Sequence, residues 1–350
     1  MEQIGLLHDG QIYDLQTAEA LNIKGDIIKA DDSKESLEIL RHSCAHMMAQ
    51  AIKELYPEAK FFVGPVVKEG FYYDFKVESK ISDEDLPAIE KKMKEIADRK
   101  LPITRHETTK EEFYEKFKND ELKQAVLKNI KDDTLTIYKQ GDFEDLCRGP
   151  HLPNTRMIRS FKLTRVAGAY LGGDEKNEMI TRIYGIAFFD KQALFDYTRM
   201  IEEAKKRDHR KLGTELELFT FNDDVGAGLP MWLPNGARLR SKLEHLLYKA
   251  HRVRGYEPVR GPEILKSEMW KISGHYANYK ENMYFTTIDE QEYGIKPMNC
   301  VGHIQIFKNS LVSYKDLPKK LFEYGVVHRH EMSGAMHGLF RVREFTQDDS

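Results

Sequence analysis

A charged, weakly amphipathic helical segment, DKQALFDYTRMIEEAKKRDHRKL at 190–212, constrains the fold more than any other feature, because it makes a poor core element and a natural connector. It implies two bodies, each burying its own apolar pattern, and 350 residues are enough for two such cores. The predicted division is a short N-terminal remnant at 1–31, a first domain at 32–189, a linker helix at 190–212 and a second domain at 213–350. With 41% hydrophobic and 32% charged residues, and no apolar run of membrane-spanning length, a soluble, cytoplasmic chain without a membrane partner is expected. The opening MEQIGLLHDGQIYD has neither a basic start nor an apolar stretch, so no secretory signal is read there. Cys44, Cys147 and Cys300 lie far apart and close to histidines, which favours metal binding or chemistry over cross-linking. A net charge of -3 gives no global attraction to nucleic acid, so any such contact must use local basic patches.

Within the first body, Asp32–Tyr56 is predicted as a helix, started by a capping box of Asp32 with Glu35 and stopped by Pro57. Its apolar stripe is Leu37, Leu40, Cys44, Met47, Ala51 and Leu55. FFVGPVV and FYYDFKV then suggest a β-hairpin, 83–99 and 110–131 read as helical, and 134–171 mixes strands with turns. In the second body a helix over Ala237–Val253 carries Leu239, Leu243, Leu246, Ala250 and Val253 on one face and closes at Gly255. LFEYGVVHRHE and FRVREFTQDD read as an antiparallel strand pair joined by MSGAMHGL.

His42 and His46 stand four residues apart on the first helix, roughly opposite its apolar stripe. A lone helical histidine is usually a core or surface residue without a task, but here two share a face with Gln50. Further on, DLCRGPH sets Cys147 and His151 at the same spacing. Together HxxxH and CxxxH supply four N/S donors, as a tetrahedral zinc site would use. Spacing alone leaves a metal site and a metal-free acid/base pocket equally open.

HSCAHMMAQAIKELYP, VGPVVKEGFYYDF, DLCRGPHLPNT and AGAYLGGDEKNEMITRIYG closely resemble the editing domain shared by threonyl- and alanyl-tRNA synthetases, the last two matching the threonyl branch best. The resemblance implies hydrolysis of serine from mischarged tRNA in a pocket that works without a metal. It places His42, His46, Cys147 and His151 in that pocket, together with Tyr73, Asp145 and Lys123. Such hydrolysis needs an oriented water, a group to relay its proton and donors for the developing oxyanion, and imidazoles suit the relay near neutral pH.

GARLRSKLEHLLYKAHRVRGYEPVRGPEI, with Pro262, resembles motif 1 of class II synthetases, and YGVVHRHEMSGAMHGLFRVREFTQDD resembles motif 2. KPMNCVGH resembles the threonyl enzymes specifically. The fold class implied is α+β: a threonyl/alanyl-type editing domain, then a class II antiparallel sheet domain flanked by helices and incomplete at its C-terminus. Period-two logic puts Arg329 and Glu331 on one face of the first strand, and Arg341, Gln347 and Asp349 on one face of the second. The resemblance gives Arg329 to the α-phosphate of ATP, Glu331 to the adenine amino group and Arg341 to the phosphates. Met298, Gln347 and Asp349 fall to the threonine side, and Cys300 to a substrate-gripping Zn²⁺ whose two histidine ligands lie outside residues 1–350. His303 and His337 do not match those positions. Mg²⁺ with ATP, L-threonine, the tRNA specific for threonine and a homodimer complete the implied partners. With motif 3 and an anticodon-binding domain absent, these residues alone are expected not to aminoacylate tRNA. Two rivals are weighed: a free-standing hydrolase of mischarged tRNA acting in trans, and an RNA-binding or dimerising paralogue on a dead synthetase fold. Arg329, Glu331 and Cys300 argue against the second.

Overall fold

The computed structural model describes residues 2–128, 130, 134–173, 176–309 and 311–350, which form two compact units, Met1–Ile201 and Glu202–Ser350. The first unit opens with β1 (Gln3–His8) and β2 (Gln11–Asp14), an antiparallel hairpin turned by Asp9 and Gly10. Both turn residues have positive φ, 48° and 76°, as a two-residue Asp-Gly hairpin requires. Asp14 then caps α1 (Leu15–Ala20), and β3 (Asp26–Lys29) pairs with the other edge of β1. This sheet is no separate remnant: Ile4 and Ile28 belong to the main apolar cluster of the unit.

That cluster surrounds α2 (Lys34–Leu55). Leu37, Leu40, Cys44, Met47 and Ala51 are buried along the predicted stripe, while Leu55 in the last turn is exposed. The expected capping box does not form. Ser33 occupies the N-cap position, and the Asp32 carboxylate instead accepts from the backbone N–H of Phe189 and Asp190, 157 and 158 residues away. Nor is the side opposite the stripe free, because Arg41, Ser43, His46 and Gln50 are also buried. The helix is enclosed on nearly every side, and its polar face must therefore be satisfied by neighbours.

Those neighbours come from two sheets. β4 (Lys60–Phe61), β5 (Val66–Val67) and β6 (Gly70–Lys76) precede α3 (Leu86–Asp98), which packs on α2 through Ile89, Met93 and Ile96. β7 (Ile103–Thr109), α4 (Lys110–Lys116), α5 (Glu121–Lys128), β8 (Thr134–Gln140) and β9 (Phe143–Leu146) follow, with β7, β8 and β9 forming one antiparallel sheet. The predicted helix over 110–131 is thus two short ones, and positions 129 and 131 lie outside the described residues. β10 (Ser160–Tyr170) and β11 (Met179–Phe188) complete a five-stranded sheet in the order β10-β11-β6-β4, with β5 hairpinned onto β6. Phe71, Tyr73 and Phe75 point inward from β6, as the alternation of a half-buried strand demands.

α6 (Lys191–Lys206) ends where Asp208 leaves helical geometry to accept from Arg210 N–H, and α7 (His209–Glu215) starts afresh there. In the second unit β12 (Phe219–Thr220) pairs with β13 (Met231–Trp232), and α8 (Pro234–Val253) follows. β14 (Glu257–Pro258) leads through β15 (Ile264–Lys266), α9 (Ser267–Ile272), α10 (His275–Tyr279), β16 (Phe285–Ile288) and β17 (Gln291–Ile295) to α11 (Cys300–Lys308). β18 (Leu321–His328) and β19 (Glu344–Asp349) pair antiparallel, with β14 parallel on the far edge of β18. The strands are shorter than predicted: Arg329 and Glu331 fall after β18 and Arg341 falls before β19. The His330–Gly338 stretch therefore forms a loop, and alternation along a strand cannot place these three side chains. Gln347 and Asp349 do share one face of β19, opposite Gly325 and Glu323. Trp270, Met283 and Val301 form a small core in this unit.

Candidate functional site

In the first unit α2 presents His42 and His46 one turn apart, while the turn after β9 brings Cys147 and His151 back over them. Cys147 Sγ lies 3.2 Å from His42 Nε2 and 3.2 Å from His151 Nε2. The His151 ring centroid is 4.4 Å from that of His42 and 4.3 Å from that of His46. One donor atom from each of the four side chains lies within 4.8 Å of the others, so this group could hold a metal ion. Three imidazoles and a thiol suit zinc in composition.

Ser43, between the two motif histidines, fixes one tautomer. Its hydroxyl donates to Ile39 O at 2.9 Å and accepts from Leu152 N–H at 2.8 Å. With its single proton committed, Ser43 Oγ can only accept from His151 Nδ1, 3.3 Å away. His151 Nε2 is then left as a lone-pair site facing the Cys147 thiol.

Burial sets the protonation states. It pulls His42 down to about 4, although the carbonyls of Pro150 and Gly149 and the charges of Asp14 and Asp145 work the other way. His46 lies well below its ordinary value through burial, then through His42 and Lys123; His151 does so through burial, then through His46 and His42. Burial likewise pushes the Cys147 thiol far up, against the N–H that Gly149 donates to it. At neutral pH the cluster is three uncharged imidazoles and a protonated thiol: proton acceptors and relays, and a poor thiolate nucleophile.

Beside them, Lys123 from α5 and Tyr73 from β6 both donate to the Asp145 carboxylate on β9, which also accepts from Leu146 N–H at 2.7 Å. Tyr73, Lys123 and Asp145 are all buried. The structure therefore brings all seven residues predicted for this pocket into one place.

It also adds a residue without local warning in the sequence. Asp14, only 2% exposed, accepts from His151 N–H at 2.9 Å and from Tyr138 OH at 2.6 Å, while the Tyr138 ring lies 4.5 Å from His151. The first hairpin thus holds the loop that carries two of the four donors. Asp14→Ala is expected to cost about 1–3 kcal/mol by removing the acceptor of the Thr17 and His151 N–H groups and of Tyr138 OH. A fall in the urea unfolding midpoint at unchanged slope would show it, and an unchanged midpoint would refute it.

In the second unit Met298, Cys300, Arg329 and Gln347 gather around the start of α11, while Glu331, Arg341 and Asp349 are held by other partners. Asn299 packs where a side chain on Gly325 would sit, 2.0 Å from a Cβ built there, and donates to Gln347 Oε1 at 3.2 Å. Met298 is partly exposed, with Sδ 3.1 Å from His275 Nε2, and Cys300 Sγ lies 4.0 Å from the same nitrogen. Arg329 donates to Pro297 O at 3.2 Å and lies over the Phe345 ring. Arg341 is paired with Glu331 at 2.9 Å. Asp349 sits across from Glu323, which takes Lys296 at 3.2 Å and Gly261 N–H at 2.8 Å. His303 faces Glu323 and His337 faces His209, so neither stands at Cys300.

Residues 135–184 match the threonyl and alanyl tRNA synthetase second additional domain, and residues 284–350 match the tRNA synthetase class II core domain (G, H, P, S and T). A protein of Campylobacter jejuni named threonine--tRNA ligase is 71% identical over 349 residues, covering 100% of this chain and 58% of that protein. One of the same name from Helicobacter hepaticus is 67% identical over 349 residues, with the same coverage of 100% and 58%. The solved RNA binding domain of threonyl-tRNA synthetase from Cryptosporidium parvum is 49% identical, covers 41% of this chain and 36% of its own, and has a TM-score of 0.40. The chain spans 58% of the length of these curated relatives.

Proposed function

The chain belongs to the threonyl-tRNA synthetase family, and on that premise we propose that it serves two reactions: threonine attachment to its tRNA in the second unit, and removal of wrongly attached serine in the first. The observation that carries the second reaction is the convergence of His42, His46, Cys147 and His151 beside the Lys123–Asp145–Tyr73 cluster. Water attacks the ester carbonyl carbon while an uncharged imidazole takes its proton. The tetrahedral intermediate then collapses, the ribose hydroxyl leaves with a proton, and serine departs as its carboxylate. Lys123, held by Asp145, is the cation available to the developing oxyanion or the terminal ribose. The four-donor group could take zinc, but no step here needs one.

Substrate chemistry supports pairing the two reactions. Serine keeps the hydroxyl of threonine and lacks one methyl, which a binding site sorts by only about 1–3 kcal/mol. Valine keeps the shape and loses the hydroxyl, so a site that grips the hydroxyl rejects it without a second step.

For attachment, the threonine carboxylate attacks the α-phosphate of ATP and pyrophosphate leaves. Arg329 and Arg341 are the cations for the phosphoryl oxygens, Glu331 meets the adenine amino group, and Met298, Gln347 and Asp349 face threonine. Mg²⁺ would accompany ATP. Cys300 is the donor for a substrate-gripping Zn²⁺; within these residues it has no matching pair of histidines, so they do not fit a tight site by themselves and no step is routed through zinc. The proposed division keeps 32–189, 190–212 and 213–350, with residues 1–31 packed onto the first of these. No helix among the described residues is long and apolar enough to cross a membrane; the location proposed for the enzyme is the cytoplasm.

The test is hydrolysis of seryl-tRNA specific for threonine, beside threonine-dependent exchange of pyrophosphate into ATP by the intact protein. Seryl ester lost no faster than in buffer would sink the editing reading, and exchange stimulated equally by an unrelated amino acid would sink the ligase reading.

The homodimer rests on α8. Leu239, Leu243, Leu246 and Val253 are 57%, 54%, 64% and 86% exposed, an apolar stripe a second copy could cover. Leu243→Glu is expected to shift sedimentation from dimer to monomer. A wild-type protein that sediments as a monomer would remove the dimer.

A further inference from the structure

We infer that His209, at the start of α7, is a positioning residue that docks the tip of the loop between β18 and β19 and so holds Glu331 and Arg341 ready for ATP. This rests on the ligase reading of the second unit. The loop leaves Met332 and Phe340 75% and 82% exposed, and its Met336 packs beside Gly228. Its base is secured by Arg329 N–H to Arg343 O at 2.9 Å, Arg343 N–H to Gly228 O at 2.7 Å, and the Arg343 guanidinium to Glu331 O at 3.0 Å. At the tip, Leu339 N–H donates to His209 Nε2 at 2.9 Å.

The surroundings of that bond look built for it. The Phe340 ring meets His209 edge-on at 4.6 Å, Phe219 lies behind it at 6.3 Å, and His337 stacks on Phe340 at 6.2 Å. Because Nε2 accepts, the ring proton sits on Nδ1, whose neighbour is Asp208 Oδ1 at 3.8 Å. Gly338 allows the approach. Its φ is +51°, and a Cβ there would come within 2.2 Å of His209 Nε2. From the tip the connection to the site is short: His337 and Arg341 exchange backbone hydrogen bonds of 3.1 and 3.3 Å, and Arg341 pairs with Glu331. A displaced tip therefore moves Arg341 directly. The sequence places this anchor in the connector segment, where RDHR reads only as charge.

The experiment uses the intact protein with His209→Ala, His209→Gln and Gly338→Ala. Amide exchange of a peptide spanning residues 332–343 is followed by mass spectrometry, and KM for ATP comes from threonine-dependent pyrophosphate exchange. His209→Ala should raise both the exchange rate and KM about tenfold, the scale of one lost hydrogen bond with its packing, while kcat changes little. Gln can accept from Leu339 N–H with its side-chain oxygen, so His209→Gln should restore both readouts. Gly338→Ala attacks the same contact from the loop and should follow His209→Ala. An unchanged KM in His209→Ala, or a His209→Gln protein as impaired as His209→Ala, overturns the proposal. If wild-type protein shows no threonine-dependent exchange, the ligase reading fails, and unchanged amide protection in His209→Ala would then reject the anchor separately.

Discussion

Replacing His42 and Cys147 together by alanine will slow the hydrolysis of seryl-tRNA by about 10²–10⁴-fold, the range that proton relay contributes to such reactions. The two side chains are the hub of the cluster: Cys147 Sγ touches both His42 Nε2 and His151 Nε2, and the His42 ring lies 4.4 Å from that of His151. Removing both leaves His151 anchored by Ser43, with the His46 ring as its remaining neighbour in the cluster. Neither side chain is charged at neutral pH, so neither is a phosphate contact, and the loss should fall on the rate at saturating seryl-tRNA. Undiminished hydrolysis in the double variant would remove this pocket from the reaction.

The same cluster fixes a pH dependence. An exposed imidazole would be half protonated near pH 6.5 and lose its basic form below that. With His42 held at about 4, and His46 and His151 also well below the ordinary value, the basic forms persist across that range. Hydrolysis should therefore show no acid limb near pH 6.5. The cost appears in stability. Below pH 6.5 the unfolded chain takes up protons that His42 refuses in the folded chain until about pH 4 and that His46 and His151 also resist, so stability is lost as pH falls through that window. Deacylation and near-ultraviolet circular dichroism recorded together between pH 7 and 4.5 check this. A rate falling with an apparent pKa near 6.5 while the fold is intact would refute it.

How far the sequence announces all this depends on the range of the interaction. The stripe Leu37–Leu40–Cys44–Met47–Ala51 repeats with the helical period, and α2 buries it. The spacings of His42 with His46 and of Cys147 with His151 are equally local, and what they lack is their mutual distance across 105 residues. Asp14 has no local signature as a site residue. Locally it caps α1, and its contacts to Tyr138 and His151 span 124 and 137 residues. Asp32 misled for the opposite reason: the pattern for a capping box is present, but two backbone donors after β11 compete for the carboxylate and win. In the second unit, alternation reads through HRHE as though the strand continued. The ladder stops at His328 and Glu344, because the loop between them instead docks on the Ala227–Gly228 turn and on His209. The apolar face of α8 is legible as a face, while what covers it is not written in its period.

Lys123→Met will destabilise the first unit by about 3–5 kcal/mol, because it strands a buried carboxylate. The side chains of Lys123 and Asp145 are 5% and 2% exposed, and among the described residues Tyr73 OH and Leu146 N–H remain for Asp145 once the ammonium is gone. The pair is nonetheless a poor device for stability, since two charges taken out of water gain little net energy even when well matched. An apolar replacement of both partners, Lys123→Met with Asp145→Leu, should therefore recover most of the lost stability. It should recover none of the hydrolysis, because the cation for the oxyanion is absent from either variant. Urea unfolding and seryl-tRNA deacylation on the two single variants and the double variant separate the possibilities. If the double variant regained hydrolysis along with stability, Lys123 would be a structural residue. If it regained neither, the carboxylate would be needed to seat Tyr73 and the loop after β9. Recovery of stability alone is the expected result, and it would mean that folding pays for a buried ion pair that only the reaction needs.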